Sequence, residues 1–238
     1  MKILQSFLSV LAGMSLLILL CITAAEAAIY LDFDFYQKEY EKYEVLDDLN
    51  MTMDNVMEVT HHMMAYLRGD EEELRVVTQV DGREQDFFNE QDRFHMEEVK
   101  HIFCNALRIR RIAAGIFLGV LLLLVMMKAE WKRMISKAYM VLTGVTACIT
   151  GILTVLMIRN FNQCFVIFHE IFFDNDLWMF EPETDYMIRM LPEGLFADFA
   201  ARIGIFAGVF LLIVFGISLI LHRAERRKQE DRDLFNIS

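Results

Sequence analysis

The chain has 238 residues, of which 55% are hydrophobic and only 24% are charged, yet 34 acidic residues against 23 basic ones give it a net charge of −11. This apolar content excludes a disordered chain and is high for a soluble domain. The acidic balance disfavours a nucleic-acid-binding protein, which needs clustered positive charge. The two properties are compatible if apolar and acidic residues occupy different segments.

Four apolar runs contain many of the hydrophobic residues. Each approaches the roughly 20 apolar residues that a membrane-spanning helix needs, and the second, which is shorter, can be extended by snorkelling of the flanking Arg111 and Lys128. Four such helices in a soluble core would leave too little polar surface to cover them. The sequence therefore predicts four transmembrane helices. The runs are residues 3–25, 112–127, 138–158 and 203–221.

The first run has a second interpretation. Lys2, the apolar stretch and the Ala25-Glu26-Ala27 pattern are also features of a secretory signal peptide. However, the apolar stretch is long for a signal peptide, and a single lysine precedes it. We therefore expect a retained membrane helix.

The segment 30–105 is too long for a plain connection and shows its own periodicity. Aromatic residues recur at helical spacing from Phe33 to Tyr43, which predicts an amphipathic helix continuing from the first span. We expect this aromatic series to pack locally or at the membrane interface. Residues 54–67 predict another helix, which ends at Gly69.

A hairpin is predicted next. Residues 74–80 and 83–88 flank an Asp-Gly pair that suits a type I′ turn. Asn89, with Asp92 three positions later, predicts the start of a helix that runs into the second span. The expected fold class is an all-α membrane protein with four transmembrane helices and a small extracytoplasmic α+β subdomain between spans 1 and 2.

The charges of the connecting segments predict how the chain crosses the membrane. The segments after the second and fourth runs are net basic, and the two other loops are strongly acidic. Basic residues near the ends of spans favour the cytoplasmic side, so we expect cytoplasmic termini and extracytoplasmic acidic loops. The predicted segments are transmembrane helices at 3–29, 106–127, 138–159 and 201–221, an extracytoplasmic subdomain at 30–105, an extracytoplasmic loop at 160–200, a cytoplasmic loop at 128–137 and a cytoplasmic tail at 222–238.

The four cysteines show no C-x-x-C spacing. Cys21 and Cys148 fall inside predicted spans, where they act as small apolar residues. Cys104 and Cys164 both lie near the predicted outer face, which leaves open a disulfide between them.

Two histidines stand out by their context. His95 and His169 lie in outer segments at span boundaries, beside Glu98 and Glu170 respectively. Imidazole exchanges a proton near neutral pH, and a carboxylate bonded to it would fix its tautomer and favour its protonated form. Both are therefore candidates for general acid–base catalysis. The histidines expected to be solvated or packed are His61, His62 and His222.

A zinc site is the alternative role for this region. His95, His169, Glu170 and Asp174 include typical zinc ligands, but the sequence has no H-E-x-x-H motif. It also lacks the motifs of serine hydrolases and P-loop ATPases. Two alternatives to a cofactor-free enzyme remain, a metal-dependent membrane hydrolase and a non-enzymatic membrane sensor or accessory protein.

Several segments resemble one known family, the four-span lipoprotein intramolecular transacylases, over nearly the whole chain. Gln91 and Glu98 depart from this pattern, because many relatives are expected to have Arg and Asp there. These departures put in doubt only details around the site. The resembling segments are Tyr66-Leu-Arg-Gly69, Phe88-Asn-Glu90, His95-Met-Glu-Glu-Val-Lys100, Phe168-His169-x-Ile-Phe-Phe-x-Asn175-Asp176-x-Trp178, and Pro182-x-Thr-Asp185 through Pro192-Glu193.

The resemblance implies a bacterial enzyme of the cell membrane with an extracytoplasmic active site. It would move the sn-2 acyl chain of a lipoprotein's diacylglyceryl-cysteine to the cysteine α-amine, giving the lyso form, with His95 and His169 as catalytic residues. The implied partners are diacylglyceryl-modified lipoproteins and membrane lipids, not nucleic acid, and neither a cofactor nor a metal is expected. The residues expected to bind substrate or support the site are Arg68, Arg93, Glu98, Glu170, Asp174, Asn175, Asp176 and Trp178.

Overall fold

The computed structural model describes residues 1–235 and is mostly helical. Among these residues, four helices are long and apolar enough to cross a membrane. Together with one two-stranded sheet, they confirm the predicted fold class. The elements are α1 (Lys2–Tyr30), α2 (Asp34–Lys42), α3 (Val45–Leu49), α4 (Met53–Arg68), β1 (Val77–Val80), β2 (Arg83–Asp86), α5 (Glu90–Met126), α6 (Trp131–Arg159), α7 (Phe161–Phe172), α8 (Tyr186–Met190) and α9 (Glu193–Phe235).

The chain divides into two compact units, of which the first comprises residues 1–26, 108–155 and those from 204 onward. Large aliphatic side chains such as Leu118 and Ile152 are exposed on its helices. Such a surface suits a lipid surrounding, in which apolar side chains need no cover. Arg110 and Glu26 form a partly buried ion pair within this unit.

The second unit comprises residues 27–107 and 156–203. The hydroxyl of the buried Tyr40, from α2, bonds the Thr60 Oγ1 of α4 at 2.7 Å, and Thr60 in turn donates to the Val56 carbonyl at 2.8 Å. These bonds satisfy polar groups that burial would otherwise penalise. Fully buried members of the core include Tyr36, Tyr40, Leu49, Val56, Met63, Phe87, Phe88, Met190 and Leu195.

The helix predicted from the aromatic series exists, but it does not continue the first span. Helix α1 ends at Tyr30, and α2 begins anew at Asp34. The reason is packing, since Tyr36 and Tyr40 are completely buried in the core of the second unit. The aromatic series therefore packs locally, as one of the two predicted arrangements had it.

The local signals around α4 and the hairpin are confirmed. Gly69 ends α4 in the left-handed conformation at φ 86°. Asp81 and Gly82 both have positive φ, as a type I′ turn requires. The paired residues run from Val77 opposite Asp86 to Val80 opposite Arg83, next to the turn. Both strands are therefore shorter than the predicted runs.

The predicted start of α5 is confirmed as a reciprocal cap. The Asn89 Oδ1 accepts a hydrogen bond from the Asp92 N–H at 2.8 Å, and the Asp92 Oδ2 accepts from the Asn89 N–H at 3.0 Å. The helix then continues without interruption to Met126. One helix thus includes both His95 and the second candidate span.

All four cysteines, which lie within the described part of the chain, are free thiols. The disulfide left open between Cys104 and Cys164 is therefore not formed. The Cys104 Sγ instead lies 3.8 Å from the Leu67 carbonyl oxygen of α4.

A tight contact at the start of α9 yields a stability prediction. Gly194 packs against the ring of Tyr43, whose hydroxyl donates to the Asp198 Oδ2 at 2.6 Å. A Cβ at position 194 would overlap this ring. We expect Gly194→Ala to destabilise the protein by about 1–3 kcal/mol, as overpacking does, and to lower the unfolding temperature measured in detergent.

The matched control is Gly204→Ala in the same helix. Apart from the adjacent residues and the backbone of its own helix, no atom of the described residues lies within 4 Å of a Cβ built at Gly204. This change should therefore leave the unfolding temperature unchanged or raise it slightly. Equal unfolding temperatures for the two variants would contradict the prediction.

Candidate active site

The first turns of α5 carry acidic and imidazole side chains on one face. Asp92, His95 and Glu98 follow one another at intervals of three residues, a spacing that places side chains on the same side of a helix. His95 is 6% exposed, and Asp92 is 0% exposed. This face is one half of the candidate site.

Helix α7 and the following loop, residues 173–180, form the other half. The side chain of Asn160 caps α7 by accepting a hydrogen bond from a first-turn N–H at 3.1 Å. His169 lies near the end of this helix and is 7% exposed. In the loop, the Asn175 Oδ1 accepts from the N–H two residues later at 2.9 Å. After this turn, Trp178 packs against the His169 ring at 4.7 Å between centroids.

The two imidazoles stack on each other. The centroids of His95 and His169 are 5.9 Å apart, and their planes are inclined by 27°. The ring of Phe173 contacts both, at 4.8 Å from His95 and 5.4 Å from His169. Both imidazoles thus share one largely apolar compartment, which we call the aromatic enclosure. Its rings are Phe165, Phe173, Trp178 and Phe180.

The hydrogen bonds of His169 define its tautomer. Its Nδ1 lies 2.8 Å from the Phe165 carbonyl oxygen, and because a carbonyl only accepts, the Nδ1 carries the proton. The Nε2 of the neutral ring then holds the lone pair that can accept a proton.

Burial keeps both rings neutral. It lowers the pKa of His169, although the bond to Phe165 opposes this effect. Burial, followed by the nearby His169, lowers the pKa of His95 to about 4. Both imidazoles are therefore neutral at neutral pH and able to act as bases.

The expectation that carboxylates orient the imidazoles and favour their protonated form is wrong. Glu170 is exposed, because adjacent residues point to different sides of a helix, and a backbone carbonyl orients His169 instead. Glu98 accepts a hydrogen bond from the Asn175 Nδ2 at 2.8 Å. Desolvation therefore lowers the pKa of both imidazoles.

Glu98 and Gln91, the two departures from the family pattern, both hold the loop 173–180. The Gln91 Nε2 donates to the carbonyls of Leu177 and Met179 at 3.0 and 3.1 Å. Together with the bond from Asn175 to Glu98, these contacts fasten the loop to α5. They place three rings of the aromatic enclosure beside the histidines.

Two buried acids were not among the predicted site residues. Asp185 is buried and accepts hydrogen bonds from the side chain of Asn89 and from the Glu181 N–H. Burial first, and the charge of Asp185 as a smaller cause, raise the pKa of Asp92 to about 6. The sequence identified Asp92 only as a helix cap, although its position one turn before His95 was a signal for the site.

The remaining predicted residues lie in other contacts. The Nε of the exposed Arg68 lies 3.6 Å from the Asp70 Oδ2. Arg93 bonds the Asp86 Oδ2 at 2.5 Å and the Leu74 carbonyl at 3.0 Å, so it fastens the hairpin to α5. Three further predicted residues have exposed side chains, namely Glu170, Asp174 and Asp176.

The zinc ligands of the alternative interpretation are not brought together. Within residues 1–235, no three or more His, Cys, Asp or Glu side chains are arranged to hold a metal ion. The set of His95, His169, Glu170 and Asp174 therefore does not form a ligand cluster.

Comparisons with solved structures show a shared fold. The in meso structure of the membrane-integral lipoprotein intramolecular transacylase Lit from Bacillus cereus superimposes with a TM-score of 0.74 at 20% identity, covering 95% of this chain and 100% of that one. Two variants of that protein, with a histidine replaced by arginine or by alanine, give TM-scores of 0.72 at 21% identity, covering 95% of this chain and 96% and 97% of theirs.

A comparison with curated proteins gives no match. The sequence model of the family described as lipoprotein intramolecular transacylase Lit, in contrast, matches residues 10–196. This range includes most of α1, the hairpin and both candidate histidines. The chain therefore belongs to the lipoprotein intramolecular transacylase family.

Proposed function

We propose that the protein transfers the sn-2 acyl chain of a bacterial lipoprotein's diacylglyceryl-cysteine to the α-amine of the same cysteine. Family membership supports the reaction type. The observation that carries the assignment of the site is the pair of buried imidazoles of His95 and His169, with centroids 5.9 Å apart. The product is a lyso-form lipoprotein with one N-acyl and one O-acyl chain.

The reaction needs bases and an acid but no co-reactant. The α-ammonium first loses a proton, which passes to an imidazole and from there to water. The amine nitrogen then bonds to the ester carbonyl carbon and gives up a second proton, while the bond from that carbon to the glycerol oxygen breaks. The departing oxygen takes up a proton and becomes a hydroxyl, so that one proton is released in all.

Two neutral imidazoles suit these proton transfers. One accepts the protons of the nitrogen, and the other donates to the glycerol oxygen or stabilises the oxyanion of the tetrahedral intermediate. The lone pair of the His169 Nε2, which follows from the bond of its Nδ1 to the Phe165 carbonyl, makes this ring competent as a base. A ring that has taken the second proton of the nitrogen can return it as the imidazolium to the glycerol oxygen, which restores the starting state of the ring.

The aromatic enclosure contributes by excluding water. Water competes with the amine for the ester carbonyl, and an apolar surrounding reduces its concentration at the reacting atoms. Amine and ester also belong to the same substrate molecule, so correct positioning can replace a bimolecular encounter and supply about 7–11 kcal/mol of the barrier reduction. The buried Trp178, held by the turn at Asn175, is the proposed wall of the substrate site.

We also propose that the site faces the extracytoplasmic side of the bacterial cell membrane, with both termini in the cytoplasm. Net basic segments follow the second and fourth apolar runs, and the site residues lie in the acidic ones. Exposed polar groups such as Arg68 and Asp176 then meet lipid headgroups or the peptide part of the lipoprotein.

The catalytic assignment predicts that His95→Ala and His169→Ala each lower the rate of lyso-product formation by about 100-fold or more, as loss of a general acid or base does. Mass spectrometry of lipoprotein N-termini, from cells expressing each variant at matched membrane levels, measures this. The control is His101→Ala, an exposed histidine on the same helix. Unchanged diacylglyceryl N-termini in cells with the wild-type protein would refute the function itself.

The lowered pKa values predict an unusual pH dependence. A neutral imidazole is needed, and burial holds the pKa of His95 at about 4 and that of His169 below its ordinary value. Both imidazoles should therefore titrate below about 6.5 in the protein without substrate. The NMR chemical shifts of the two rings in the purified protein, followed between about pH 4 and 8, test this, and a midpoint at or above about 6.5 for either ring would disprove it.

The proposed orientation predicts the labelling of single cysteines by a membrane-impermeant maleimide. In a protein whose four native cysteines are replaced, Glu72→Cys should be labelled in intact spheroplasts. Arg227→Cys should be labelled only after permeabilisation. Both positions are exposed, so the membrane side alone decides the outcome. The reverse labelling pattern would show the opposite orientation.

A further inference from the structure

Buried polar atoms without a partner cluster on the face of α5 that carries His95. Within residues 1–235, the Asp92 Oδ1, the His95 Nδ1 and the Glu98 Oε2 are buried and have no hydrogen-bond partner. The three residues are spaced by three positions and therefore lie on one side of the helix. Such atoms are rare in folded proteins because burial without a partner is costly.

Asp92 is the most unusual of the three. Its side chain is 0% exposed, and a buried carboxylate needs a cation or hydrogen-bond donors to compensate its lost hydration. The neighbouring Arg93 directs its guanidinium to Asp86 and the Leu74 carbonyl, and its charge lowers the pKa of Asp92 only as the smallest of the contributing causes. The buried Asp185, a further cause of the raised pKa of Asp92, adds negative charge instead of compensating it. The surroundings of Asp92 therefore favour a cationic ligand.

The other groups of the site suit the same ligand. The aromatic enclosure offers ring faces, which attract an ammonium group. The neutral His95 provides a nitrogen that can accept a hydrogen bond. Neutral imidazoles and aromatic rings add no positive charge that would repel a cation. A primary ammonium carries three N–H donors in a compact group, whereas a phosphate or carboxylate would be repelled by Asp92.

We propose that the Asp92 carboxylate binds the α-ammonium of the substrate cysteine and holds it next to the His95 Nδ1. This inference rests on the proposed function. Residues three apart on a helix are neighbours, with Cβ atoms about 5–6 Å apart, so one ammonium can donate to both side chains. The Oδ2 of Asp92 remains on the Asn89 N–H, which fixes the direction in which Oδ1 points.

This placement gives Asp92 and His95 separate roles. His95 takes the proton that the ammonium loses. Asp92 itself keeps its charge and binds the amine through a hydrogen bond. After transfer the nitrogen is a neutral amide, which Asp92 binds less strongly, so the same carboxylate favours release of the product.

The test compares two synthetic lipopeptides that carry an ether-linked dialkylglyceryl-cysteine and cannot transfer a chain. One has a free α-amine, and the other is N-acetylated. Binding to the purified full-length protein in detergent should favour the free amine by about tenfold or more, since hydrogen bonds to charged groups are strong. Asp92→Asn should abolish this preference while keeping an oxygen that accepts from the Asn89 N–H. Asp92→Glu, which retains the charge, should preserve a preference.

The control is Asp54→Asn, an exposed acid in the first turn of α4, which should leave the preference intact. A preference that persists in a folded Asp92→Asn protein, or that disappears instead in Glu98→Gln, would overturn the proposal. The binding measurement does not depend on turnover. If the wild type forms no lyso product, the proposed function fails even where Asp92 binds the amine. If product forms and Asp92→Asn binds normally, only the role of Asp92 fails.

Discussion

The hydrogen bonds of Asn89 anchor the helix that carries half of the candidate site. Its Oδ1 accepts from the Asp92 N–H, which starts α5 at a defined residue, and its Nδ2 donates to Asp185 in the second acidic loop. The first bond fixes the start of the helix on which His95 lies. The second bond joins this start to a residue that follows the loop 173–180 and is far from Asn89 in the sequence.

The site uses apolar surroundings to control proton affinity. Aromatic rings around His95 and His169 lower the pKa of both, and the buried position of Asp92 raises its own. Desolvation thus favours the neutral form of these three groups. A neutral base is what the deprotonation of an ammonium requires. For Asp92 the same effect opposes ionisation, and a bound ammonium would offset it, because an opposite charge favours the carboxylate form.

Local features of the fold could be predicted because their causes are local. The positive φ of Asp81 and Gly82, the end of α4 at Gly69 and the cap at Asn89 depend on residues within one turn or hairpin. The four apolar helices follow from composition alone. The break between α1 and α2 could not be predicted in this way, because it depends on the burial of Tyr36 and Tyr40 against residues distant in sequence.

By itself, the sequence determined the membrane class, the helix and hairpin signals, the family resemblance and the two candidate histidines, since these depend on composition, periodicity and short motifs. Only the tertiary structure decided which groups surround those histidines. Sequence neighbours indicated carboxylates, but the folded chain brings Phe173 and Trp178 to the rings and leaves Glu170 exposed. Burial in an assembled compartment controls the proton affinity of an imidazole, and burial arises from contacts between segments that the linear order does not reveal.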